Sequence, residues 1–142
     1  VADPVGGDGS ARAPDSDALA TARLAAEAAA DKLGTDTLIL HVGPILALAD
    51  YFVITGASND RQVRSIVEEV EKRLKARSVR PLGTEGLAEA RWVLLDFGDV
   101  VVHVFHDEAR AYYSLERLWA DAEHVPWGDD VSRAGAEEVA GG

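Results

Sequence analysis

Two apolar runs, residues 92–97 and 100–106, are separated only by Gly98 and Asp99. β-Branched and aromatic residues on both sides of a two-residue turn predict a β-hairpin, and a glycine at the first turn position suits the positive φ such a turn needs. With Phe97 opposite Val100, successive side chains point to alternate faces. One face then carries Val93, Leu95, Phe97, Val100, Val102 and Val104, has no polar member, and belongs on the core. The other sets Trp92 opposite Phe105, Leu94 opposite His103 and Asp96 opposite Val101. A solvated face would alternate to polar residues, and this one does not. It requires a cover of its own: a helix of the same chain, a second copy, or a partner protein.

The rest of the pattern supplies further elements. Leu19, Ala22, Ala26, Ala29 and Leu33 recur at helical spacing behind a cap at Asp15 or Ser16, and Gly34 closes that helix near Lys32. Residues 37–42 read as a strand. Residues 50–55 read as a central strand covered on both sides, because their apolar run is nearly continuous. Ser58 or Asn59 caps a second helix reaching about Arg77, with Val63, Ile66, Val67, Val70 and Leu74 as its buried stripe. Residues 79–82 read as a short strand and 83–90 as a loop or single turn. A last helix over residues 109–119 would bury Tyr112, Leu115, Leu118 and Trp119. The expected fold class is α/β (α+β): one domain with a five-stranded mixed sheet covered by helices. Residues 1–15 are expected to be disordered, 16–120 to form the domain, and 121–142 to be an acidic flexible tail in which residues 125–127 offer a local packing point.

Charge sharpens the picture. The net charge is −11 over 142 residues. Residues 1–17 account for −3 and residues 120–142 for −5, so the middle is nearly balanced at −3. Acidity opposes unaided nucleic-acid binding and suits a basic protein partner. The absence of cysteine excludes disulfides and thiolate metal sites and fits a reducing compartment. No apolar run approaches the length of a membrane span, and the first fifteen residues have no signal-peptide core, so a cytoplasmic location is expected.

Catalytic patterns are weak. His103 and His106 are close in sequence, but on a strand they face opposite ways, so no metal is expected. Residues 56–60 join a strand to a helix N-terminus without the spacing of a phosphate-binding fingerprint. Asp50, Asp96 and Asp99 do not form the carboxylate pair that two-metal chemistry needs. With no cysteine, and no serine at a strand-to-helix elbow, no nucleophile-and-base set is present.

The run WVLLDFGDVVVHVF at residues 92–105, followed by RAYYSLERLW at 110–119, resembles the ribosomal silencing factors, also called the Iojap-like family. ADYFVI at 49–54 with Gly56, and PLGTEG at 81–86, match its other motifs in the same order, so the resemblance spans residues 19–119. It implies a non-enzyme with no cofactor, on a fold similar to nucleotidyltransferases but without their catalytic carboxylates. It further implies binding to the large ribosomal subunit through ribosomal protein fourteen, blocked joining of the subunits, repressed translation when nutrients are short, and a homodimer when free. The contact surface it implies falls on Glu85, Gly86, Trp92, Leu94, Asp96, His103 and Phe105. The alternative, from a different class, is a nucleotidyltransferase-like phosphate-transfer enzyme using the Gly56 turn.

Overall fold

The seven residues of β2 (Tyr51–Ala57) are all buried and form the centre of a mixed sheet, as their nearly unbroken apolar run predicts. The computed structural model describes residues 16–128. Around β2 the chain lays down α1 (Ser16–Asp31), β1 (Thr35–His41), α2 (Asp60–Lys75), β3 (Gly83–Glu85), β4 (Trp92–Asp96), β5 (Val100–His106), α3 (Asp107–Tyr113), α4 (Leu115–Leu118) and β6 (Glu123–His124). The strand order is β3-β4-β5-β2-β1-β6. β2 and β5 run parallel across the crossover that contains α2, and the other neighbouring pairs are antiparallel.

Helices α1 and α2 cover the first face of the sheet. Ala18, Ala22, Ala25, Ala26, Ala28 and Ala29 are buried on α1, where small side chains let the helix lie close to both the sheet and α2. The predicted stripe of α2 is buried in full against Val53, Val93, Leu95, Val102 and Val104. Asn59 caps α2 by accepting from the Gln62 amide, while Gln62 Nε2 donates back to the carbonyls of Lys32 and Leu33. Arg73 joins the two helices by pairing with Glu69 and Asp31, and its hydrogen bond holds the Glu69 carboxyl below the usual range.

Several boundaries differ from expectation. Residues 79–82 are not a strand: Ser78 takes a left-handed φ of 64° and the Val79 amide returns to the Leu74 carbonyl, so helix termination consumes this segment. Pairing starts when the Leu82 amide reaches Asp96, and the strand is the exposed β3 instead. The last helix is broken by Ser114, whose φ of 48° and ψ of 52° end α3 and restart the chain as α4. That break shifts the helical phase, leaving Tyr112 81% and Leu118 76% exposed while Leu115 is buried. Leu33 is exposed as well, because it takes the left-handed position after α1 with φ 66°. Residues 121–128, expected to begin the tail, are part of the fold. β6 adds a sixth strand beside β1, Val125 and Trp127 pack on the first-face core, and Trp127 Nε1 donates to the Thr37 carbonyl at 3.1 Å. The remaining segments expected to be disordered or flexible, 1–15 and 129–142, lie outside the described residues.

Candidate protein-docking site

The hairpin has the predicted register. Trp92 faces Phe105, Leu94 faces His103, Asp96 faces Val101, and the Phe97 amide closes the turn on Val100. Gly98 has φ 90°, and the Asp96 carboxylate accepts its amide at 2.8 Å. Extending the register puts Glu85, Leu94, His103 and Ile54 in one row across β3, β4, β5 and β2 on the second face of the sheet.

That second face has a cover, but a partial one. Its core is Leu40, Val42, Phe52, Ile54, Phe105, Ala109, Leu115 and Ala122, with Leu46, Trp92 and Trp119 packed around it. α3 turns back directly from β5, so Ala109 and Tyr113 come over Phe105 and Trp92, and Trp119 meets Phe52 edge-on at 5.3 Å. The short helix pair lies over the middle of the sheet, while Trp92 and Leu94 on β4 stay half-buried and Glu85 and Gly86 are exposed.

Two of the seven expected contact residues are not available to a partner. Phe105 is fully buried, stacked beneath Trp92 at 4.9 Å and 28°. His103 is 4% exposed, enclosed by Trp92, Phe52 and Phe105. Alternation along a strand states which face a residue shares, but not how deep it lies under the element that folds over that face. Gly86 is required by the backbone, since its φ is 86° and a Cβ there would stand 2.0 Å from the Trp92 carbonyl oxygen. The loop it opens is held by Arg64, which donates to the Leu87 and Ala88 carbonyls. Glu85, Trp92, Leu94 and Asp96 remain at the surface as candidate contacts.

Other residues of this surface were missed. Tyr113 lies against Trp92 at 4.9 Å and Tyr112 against Tyr113 at 5.0 Å, and both are exposed. Ile45 and Leu48 project from the loop whose Leu46 and Ala49 pack on the second-face core. The available signal was a loop opened by Gly43 and Pro44 yet carrying Ile45, Leu46 and Leu48, an apolar content that solvated loops do not need.

The chemical alternatives find their groups otherwise engaged. Gly56 lies inside β2, not in the turn before α2, and a Cβ on it would stand 2.7 Å from both Asp107 Oδ1 and Thr35 Oγ1. An open groove of about 840 Å³ runs between β1 and α3–α4, lined by Asp36, Asp107, Glu116, Arg117 and His124. Its Arg110 is an internal brace, donating to the Thr35 and Asp36 carbonyls and to Glu116. His106 accepts the Glu108 amide as the cap of α3, apart from buried His103. Among the described residues no three His, Asp or Glu side chains converge as metal ligands, and no helix is long and apolar enough to cross a membrane.

Fold and surface together define a single α+β domain whose distinguishing feature is an aromatic, apolar sheet face. The chain belongs to the family described as ribosomal silencing factor during starvation, whose sequence model matches residues 15–140. It is 46% identical over 100 residues to the ribosomal silencing factor of Bacillus subtilis, covering 70% of this chain and 85% of that protein. It is 34% identical over 87 residues to the mouse protein named mitochondrial assembly of ribosomal large subunit protein 1, covering 59% of this chain and 38% of that one. A crystal structure of a Chromobacterium violaceum protein superposes with a TM-score of 0.70 at 35% identity, covering 72% of this chain and 85% of that chain. The family is one of translational regulators, not of known enzymes.

Proposed function

We propose that this chain docks on the large ribosomal subunit through ribosomal protein fourteen, using the Trp92 side of the second sheet face. Docked there, it keeps the small subunit from joining and lowers translation when nutrients are short. The observation that carries this reading is the apolar rim of that face. Ile45, Leu48, Tyr112, Tyr113 and Leu118 are all exposed on the segments that cover it, and of these Tyr113 lies against the half-buried Trp92 with Tyr112 beside it. Single exposed apolar residues are ordinary, whereas the contiguous run of Trp92, Tyr113 and Tyr112 at the surface has the composition of an interface core. Exposed Glu85 and half-buried Asp96 flank it and suit a basic partner. Family membership supplies the ribosomal context, and the mouse relative's name supports the large subunit. When not docked, the chain is proposed to pair as a homodimer.

The test is co-sedimentation with purified subunits, paired with binding to isolated ribosomal protein fourteen. The chain should pellet with large subunits and bind the isolated protein. Pelleting with large subunits but no binding to the isolated protein would move the contact elsewhere on that subunit. Pelleting with neither subunit would remove the reading.

A further inference from the structure

The second face contains one buried polar side chain that the docking reading does not use. His103 accepts the indole N–H of Trp92 at its Nδ1, at 3.1 Å. The neutral tautomer that accepts there carries its proton on Nε2, and Nε2 is buried with no hydrogen-bond partner among the described residues. Leaving a donor unpaired inside an aromatic pocket is unfavourable, so an apolar residue at position 103 would suit stability better. Burial also lowers the imidazole pKa to about 4, which keeps the lone pair on Nδ1 across the neutral range. What the histidine achieves at that cost is the orientation of one ring. Phe105 stacks under Trp92, Tyr113 lies beside it, and His103 takes the indole's one polar atom.

We propose that His103 is the positioning residue of the docking face: it fixes the Trp92 indole and consumes its N–H, so that Trp92 meets its partner as an apolar surface with no hydrogen bond to give. This rests on the reading that the Trp92 side docks. Stacking alone leaves an indole free to flip about its last torsion, which is broad and two-fold. A directed N–H to nitrogen bond selects one orientation. The partner surface opposite Trp92 is therefore apolar, without an acceptor that would need the indole N–H.

The experiment compares His103→Phe, His103→Asn and Trp92→Ala in the full chain. Phe keeps the ring and removes the acceptor; Asn places its Oδ1 near the position of the histidine Nδ1. Three measurements are made on each: thermal melting, affinity for large subunits, and the Trp92 indole N–H resonance, assigned by its loss in Trp92→Ala. His103→Phe should melt at or above the temperature of the parent yet bind roughly tenfold more weakly, on the scale of a misplaced interface anchor. Its indole resonance should move upfield and broaden, and Asn should restore both resonance and affinity. An unchanged indole resonance in His103→Phe overturns the proposal. So does parental affinity in His103→Phe where Trp92→Ala binds weakly. Parental affinity in both variants overturns the docking face itself, and the positioning role with it.

Discussion

Leu95 and Trp92 stand on opposite faces of β4, and they separate stability from docking. Leu95 is fully buried in the first-face core, so Leu95→Ala should cost roughly 2–5 kcal/mol, the range for emptying a buried leucine site. Trp92 is half-buried on Phe105, so Trp92→Ala should destabilise the free protein less than Leu95→Ala does. Measured where both variants are folded, it should weaken subunit binding by about 2 kcal/mol or more, as interface tryptophans do. Melting and binding curves decide this, and a reversed order would mean that the faces are misassigned. His103 adds a pH signature. Its pKa is about 4 in the folded protein against an ordinary 6.5, so below pH 6.5 the unfolded chain takes up a proton that the folded protein refuses. The stability attached to this group is complete above pH 6.5 and declines as pH falls to 4, by a total on the order of 3 kcal/mol. Denaturant titrations across that window should show a steep decline in the parent and a shallower one in His103→Phe. Equal slopes would place His103 in a wetter site than the structure shows. At this scale the sequence identified the face of every hairpin residue, since alternation is strict. It could not identify depth, because the burial of Phe105 and His103 depends on where α3 turns back.

Elements built on strong periodicity were legible, and those made by departures from it were not. The stripe of α2 and the buried run of β2 follow from apolar spacing alone. The division of the last helix rests on one left-handed residue, Ser114, which nothing in a serine announces. β6 has two exposed residues, too few to show any pattern. The structure nevertheless gives the segment after α4 a real share of the packing. Val125 donates to the Ile39 carbonyl, Arg23 donates to the Pro126 carbonyl, and Trp127 both packs on the first-face core and bonds to Thr37. A chain ending at Ala122 should therefore melt well below one ending at Gly128. A half-buried tryptophan, a valine and three hydrogen bonds are together worth several kcal/mol, roughly ten degrees or more for a domain of this size. Equal melting temperatures for the two truncations would show that this segment only rests on the sheet.

For the whole molecule, the division of labour between the two sheet faces shapes how silencing should behave. The first face carries the helices and most of the core, while the second has short helices and leaves apolar side chains in water. An agent that works by covering a surface is consumed one molecule per target, whereas a catalyst is not. Titrating the chain into separated subunits and measuring whole-ribosome formation should give loss that is linear in added chain and ends near one chain per large subunit. Trp92→Ala should shift that curve to higher concentration without changing its end point, because a weakened contact alters occupancy and not the shape of the obstacle. Substoichiometric silencing, with small amounts of chain inactivating a large excess of subunits, would point to a chemical modification and revive the nucleotidyltransferase-like alternative. Calorimetry with nucleotides and magnesium would then give heat. With Gly56 inside β2 and Asn59 already capping the N-terminus of α2, no heat is expected.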